Sequence, residues 1–144
     1  MSLGIATLYV PREAFAQKTD VTLTLISDDG KVADHPGAIG PIFSLSKAAH
    51  TDAQQGSATL QIPATLTLAF TPADTSIPLQ RLTLAYLSTV SNPNLWIPIS
   101  NPSPGTISGS ISEFFGTVWF APVESCPAGQ SCPAPETCKS NVCQ

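Results

Sequence analysis

Four cysteines near the C-terminal end are the residues of this 144-residue sequence whose type and spacing most clearly indicate chemistry. Cys126, Cys132, Cys138 and Cys143 follow the pattern C-x5-C-x5-C-x4-C in a stretch rich in proline and glycine. An even number of cysteines in a segment too small to form its own core is typical of disulfides in an oxidising compartment. Of the three possible pairings, we expect Cys126 with Cys138 and Cys132 with Cys143.

Zinc is the alternative partner for these thiols. Structural zinc sites favour cysteines separated by about two to four residues, whereas the first two of the three gaps here are wider. We therefore expect disulfides, with no bound metal and no cofactor. Each disulfide closes a short loop, which in the chain-entropy model stabilises the folded state by about 3 kcal/mol.

The other residues capable of chemistry form no recognisable constellation. His35 and His50 each lie in a predicted loop close to a carboxylate, and solvated loop polarity explains both better than a two-histidine metal or acid–base site. Ser108 misses the G-x-S-x-G pattern by one position and is interpreted as a strand serine. Without an assembled nucleophile, base and oxyanion hole, we expect no enzyme activity.

Charge and hydropathy exclude several classes of function. Only 11% of the residues are charged, against about 25% in an ordinary soluble domain, and the net charge is −4. Ser and Thr together make up about a fifth of the chain. The chain lacks the basic surface that binds nucleic acid or anionic lipid, and no apolar run approaches the roughly 20 residues of a membrane-spanning helix.

Apolar residues alternate with polar ones along most of the chain, and prolines and glycines separate the runs. This period of two predicts strands with one buried and one wet face, and the eight or nine short runs predict an antiparallel β-sandwich. We assign residues 1–122 to the sandwich and residues 123–144 to a disulfide-bonded tail. Residues 47–55 are expected to form a loop or short helix, and Pro63 lies either inside one strand or between two.

Several segments follow one another in the order found in a known β-sandwich. They are residues 10–15 (VPREAF), 20–25 (DVTLTL), 40–43 (GPIF), 63–68 (PATLTL), 95–99 (LWIPI) and 105–120. Over residues 4–121 the chain thereby resembles the ZU-five domain of zonula occludens scaffolds, netrin receptors and ankyrins. It departs from that pattern by an insertion at 47–56 and by Glu13, which replaces the glycine of the opening motif.

The resemblance also implies a position for self-cleavage. Some members of that family cut themselves at a His-Phe-Ser turn, where the serine hydroxyl attacks the preceding carbonyl while histidine assists proton transfer. The corresponding residues here are Glu113, Phe114 and Phe115, so the nucleophile is missing. Ser112 and Thr117 are out of register for this attack. We therefore expect this degenerate turn not to cleave.

Aromatic side chains suggest a binding role as the alternative to a structural one. Trp96 and Trp119 are candidates for stacking on a sugar, and Tyr9 and Tyr86 belong to the same set of aromatics. Trp119 is the better of the two tryptophans, because its predicted face also carries Thr117.

These patterns together predict a non-catalytic structural or interaction module of a larger exported or cell-surface protein, of bacterial type. The expected partner is a protein or a polysaccharide outside the cytoplasm, and the isolated domain is expected to be a monomer. The alternative is a carbohydrate-binding sandwich that uses exposed aromatics. The first ten residues lack the features of a signal peptide, so an export signal has either been removed or was never present. Because the sequence starts almost directly in a predicted strand, we expect it to be a fragment of a longer polypeptide.

Overall fold

Alternating sequence produces eleven strands within the residues that the structure describes. The structure is a computed structural model and describes residues 2–11, 19–29, 37–49, 59–69, 81–88, 95–99, 106–113, 117–126, 131–132 and 136–144. No α-helix occurs among these residues. The strands are β1 (Ser2–Leu3), β2 (Ala6–Tyr9), β3 (Thr19–Ser27), β4 (Ile42–Ala49), β5 (Thr59–Ala69), β6 (Leu82–Ser88), β7 (Leu95–Pro98), β8 (Thr106–Glu113), β9 (Thr117–Glu124), β10 (Cys138–Lys139) and β11 (Val142–Cys143).

Nine of these strands form two antiparallel sheets, which confirms the predicted β-sandwich. The four-stranded sheet has the order β1-β2-β5-β8, and the five-stranded sheet has the order β3-β4-β9-β6-β7. The last two strands form a separate hairpin. The predicted boundary between residues 122 and 123 falls inside β9, so the disulfide-bonded segment leaves directly from the five-stranded sheet.

The main core contains side chains from both sheets. In β8, for example, Ile107 and Ile111 are buried whereas Ser108 and Ser110 are exposed, as the alternation predicts. Burying a leucine or phenylalanine side chain contributes about 2 kcal/mol, so this cluster provides much of the driving force for folding. Its buried members are Ala6, Leu8, Phe43, Leu45, Ala64, Leu66, Leu68, Leu82, Leu84, Ile107, Ile111 and Phe120.

A second core involves the opposite side chains of the five-stranded sheet. Successive side chains of β4 point to opposite faces of the sheet: Phe43 belongs to the first core and Ile42 to the second. The second core also includes Val142 of β11, so the C-terminal hairpin helps to cover this face. Its buried members are Ile42, Ala85, Leu87, Trp96, Ala121, Val123 and Val142.

Two ambiguous segments are resolved in the described residues. Pro63 lies within the single strand β5, whose register against β8 shifts between Thr59 and Ala64. The shift is consistent with the bulges at which proline occurs in sheets. Residues 47–49 extend β4, although a loop or short helix was expected there. The rest of that predicted loop lies outside the described residues, as do both histidines.

Gly37 lies tightly against Gln144 and Trp96. Its φ of 125° lies in the range that favours glycine, and the residue is buried. A Cβ atom placed here would lie 2.8 Å from the Cβ of Gln144 and 3.0 Å from Cδ1 of Trp96. Only a residue without a side chain fits between these two groups.

We predict that Gly37→Ala lowers the free energy of unfolding by about 3 kcal/mol, because it adds both backbone strain and overlap with Gln144 and Trp96. Urea denaturation measures the loss. Gly4→Ala is the matched control. Gly4 also has a positive φ, 57°, but among the described residues, its chain neighbours apart, no atom lies within 4 Å of the point that a Cβ would occupy. We therefore expect a loss of about 1 kcal/mol. Equal losses in the two variants would contradict the tight packing at Gly37.

Candidate functional site

The four cysteines form two disulfides with the expected pairing. Cys126 is bonded to Cys138, and Cys132 is bonded to Cys143. Cys126 follows the end of β9, so the first disulfide attaches the hairpin to the five-stranded sheet. We refer to residues 136–144, with the hairpin β10–β11, as the C-terminal cap.

The turn of the C-terminal cap has a definite local cause. Ser140 and Asn141 have φ values of 52° and 63°, so both central residues of the two-residue turn are left-handed. This backbone matches the twist of a tight hairpin, and asparagine tolerates it well. The Asn141 carbonyl accepts a hydrogen bond from the Cys126 amide at 2.8 Å, which holds the turn against the end of the sheet.

The two disulfides lie against each other. The Sγ atoms of Cys126, Cys132 and Cys143 all lie within 4.8 Å of one another, a grouping that the spacing in the sequence does not reveal. Zinc binds cysteine as the thiolate, and each of these sulfurs is instead bonded to another sulfur. In this state the cluster is a covalent cross-link and has no ligand to offer a metal.

Arg81 connects the sheet to the C-terminal cap. Its Nη1 lies 3.2 Å from Oε2 of Glu124 in an ion pair, and its Nε donates to the Ser125 carbonyl at 2.7 Å. Its Nη2 donates to the Ser131 carbonyl at 3.2 Å and lies 3.6 Å from Sγ of Cys143. The Glu124 side chain is only 5% exposed, so removing its cationic partner would leave a buried charge unpaired.

Gln144 completes the cap by pairing with an edge strand. Its Oε1 accepts from the Trp96 amide at 2.9 Å, and its Nε2 donates to the Trp96 carbonyl at 3.1 Å. The carboxamide thus makes both bonds that a neighbouring strand would make to β7. The same Nε2 donates to the Lys139 carbonyl at 2.9 Å, so the side chain joins the edge strand to the hairpin.

The tryptophans do not form the exposed platform that the sequence suggested. Trp96 is completely buried in the second core, and a ring without exposed surface cannot stack on a sugar. Trp119 is partly buried and packs against the same core. The expectation that Trp96 binds a ligand is therefore corrected. Its ring supports the fold, because it packs in the second core on the face of the five-stranded sheet that the C-terminal cap helps to cover.

The degenerate turn is described only at its start. Glu113 is the last residue of β8, and Phe114 and Phe115 lie outside the described residues. The absence of self-cleavage stays a prediction from the residue types.

Sequence reasoning did not identify Arg81, Glu124 or Gln144. Arg81 is one of six Lys and Arg residues in the whole chain, and this scarcity was the one signal in the sequence that singled it out. The partner itself lies far along the chain, at the end of another strand. Tyr9 stood out in the sequence only as one of several aromatics, yet it is 64% exposed.

Glu136 lies in an environment that disfavours its negative charge. Burial raises the pKa of Glu136 above its ordinary value of 4.5, and the negative charge of Glu124 adds to the increase. The folded state therefore binds the proton more strongly than the unfolded state. The contribution of this protonation to the free energy of unfolding is fully present below the pKa of Glu136 in the unfolded chain. It is lost as the pH rises through the higher pKa of the folded state.

We predict that Arg81→Met lowers the free energy of unfolding by about 3 kcal/mol, because Glu124 stays buried without its partner. The double variant Arg81→Met/Glu124→Gln should recover more than half of that loss. Ser125→Ala is a nearby control, since its buried hydroxyl has no hydrogen-bond partner in the described part of the chain, and we expect little change. Chemical denaturation of the three variants measures these effects. A double variant as unstable as Arg81→Met would refute the ion-pair explanation.

We predict that Glu136→Gln raises the melting temperature at pH 7 and that its advantage disappears below about pH 4, where the wild-type carboxyl is protonated in both states. Thermal unfolding from pH 3 to pH 8 tests this dependence. A constant difference across the pH range would contradict the titration of Glu136.

Comparisons with protein-family models, with curated proteins and with solved structures find no match to this chain. Among the described residues, no helix has the length and apolar character needed to cross a membrane. The chain is therefore characterised by its own residues: an all-β sandwich whose C-terminal cap is held by two disulfides, an ion pair and a glutamine side chain.

Proposed function

We propose that the chain is a non-catalytic structural or interaction module of a larger exported or cell-surface protein, with a ZU-five-like sandwich of bacterial type. The observation that carries this proposal is the position of the two disulfides. The disulfide Cys126–Cys138 attaches the C-terminal cap to the residues that follow β9, and the disulfide Cys132–Cys143 links the cap to the segment before it. The cap residue Val142 is buried in the second core. Such covalent cross-links stabilise the folded state of a module that must keep its shape outside the cytoplasm.

The location outside the cytoplasm is supported by cysteine chemistry. Disulfides persist in oxidising compartments and are rare where thiols are kept reduced. All four cysteines of the chain are used in the two disulfides. A chain with no spare thiol is suited to an environment in which a free cysteine would be oxidised or exchanged.

The non-catalytic role is supported by the residue types at the one position where the resemblance implies chemistry. A phenylalanine at position 115 has no hydroxyl to attack a carbonyl. Arg81 forms an ion pair with the buried Glu124, and it also contacts Sγ of the cap residue Cys143. These two charged groups are therefore committed to holding the fold.

The covalent part of the proposal predicts a large effect of reduction. Alkylation of the native protein should label no thiol, and alkylation after reduction should label all four. Removing Cys132 and Cys143 together by alanine substitution should cost about 3 kcal/mol and make the C-terminal residues sensitive to a protease. Denaturation curves and limited proteolysis before and after reduction measure both effects. Thiols that react in the native protein would refute the structural role of the cap.

The non-catalytic part predicts a single intact chain after prolonged incubation. Mass spectrometry of the wild-type protein measures this directly, and Glu113→His/Phe115→Ser, which restores the family's residue types, is the comparison. Fragments of the wild-type protein that meet near residue 114 would contradict the proposal.

A further inference from the structure

The outer face of the four-stranded sheet carries two straight rows of hydroxyl groups. In one row Tyr9 pairs with Thr65, which pairs with Ser110, and in the other Thr7 pairs with Thr67, which pairs with Ser108. We call these six residues the hydroxyl face. Neighbouring strands are about 4.8 Å apart, and alternate residues along a strand are about 6.8 Å apart, so the six residues form a two-by-three grid on the sheet.

Alternation along the strands turns this grid away from the core. The residues between its members, Leu8, Leu66 and Gly109, are buried on the opposite side of the sheet. Within the grid, Thr7, Tyr9, Ser108 and Ser110 are exposed, and the two threonines of the central strand are partly exposed. The grid is therefore accessible from solvent.

Tyr9 stands out on this surface. Its side chain is 64% exposed, and it is not among the hydrophobic residues packed on either core. An exposed tyrosine ring combines an apolar face with a polar hydroxyl, and it loses little conformational entropy on binding. Tyr9 lies at one end of its row. Its ring can therefore pack against a ligand that forms hydrogen bonds with Thr65 and Ser110.

The described side chains of the hydroxyl face include no charge. Wet sheet faces ordinarily carry Lys and Glu, but here hydroxyl groups take every one of the six positions. An uncharged surface gives no electrostatic attraction to nucleic acid or anionic lipid. Hydroxyl groups both donate and accept hydrogen bonds, so the complementary ligand is neutral and itself rich in hydroxyl groups.

We propose that the hydroxyl face binds a neutral, extended polysaccharide. The Tyr9 ring packs against the C–H face of one sugar ring, and the rows of Thr and Ser hydroxyls exchange hydrogen bonds with sugar hydroxyls along the chain. An open sheet face suits an extended polymer more than it suits a small sugar, which a concave pocket encloses. This inference goes beyond the module role proposed above, which stands whether or not the polymer binds.

The test is depletion of the 144-residue protein from solution by microcrystalline cellulose and by chitin. We expect the wild-type protein to bind at least one of the two polymers. Tyr9→Ala should weaken binding about tenfold. Ser108→Lys, which places a charge in the second row, should weaken it to a similar degree.

The matched control is Thr22→Lys, which introduces the same charge at an exposed threonine of the other sheet and should bind like the wild-type protein. Thermal unfolding of each variant separates lost binding from lost fold, and Ser108→Lys tests the face independently if Tyr9→Ala is destabilised. Failure of the wild-type protein to bind either polymer would overturn the proposal. Binding that survives both substitutions would overturn it too, as would self-association that Tyr9→Ala abolishes.

Discussion

The contact between the C-terminal cap and the five-stranded sheet is the interaction on which the rest of the structure depends. The central strands β4, β9 and β6 carry apolar side chains on both of their faces. The four-stranded sheet covers only one of these faces. The cap helps to cover the second face with Val142, which belongs to the same core as the buried Trp96. Without the cap, the second core would expose a contiguous apolar surface of the kind that causes association.

Several bonds of different kinds hold this contact, and each acts on a different part of the cap. The disulfides restrict the path of the chain, Arg81 binds both the end of β9 and the cap, and Gln144 pairs with the edge of β7. The hairpin is far too short to be stable alone. Its conformation is therefore imposed by the sheet, and the sheet's outer face is in turn kept dry by the hairpin.

Local patterns in the sequence predicted the parts of this fold that local physics determines. Alternation in β8 predicted which residues are buried, because a strand turns successive side chains to opposite faces. The cysteines predicted disulfides because they lie close together in the sequence, so that bonding any two of them closes only a short loop. The burial of Trp96 was not predictable in this way, since its strand has four residues and what covers it comes from the far end of the chain. The partnership of Arg81 with Glu124 was hidden for the same reason.

Through the pairing of Gln144 with Trp96, part of the cap's attachment depends on one amide nitrogen. Slow hydrolysis of a glutamine side chain replaces that nitrogen with oxygen and leaves a carboxylate. The new oxygen would face the carbonyl groups of Trp96 and Lys139, which now accept hydrogen bonds from Nε2, so two attractions would become repulsions. Chemical ageing at this single atom would thus weaken the cap while every other bond in the molecule stayed intact.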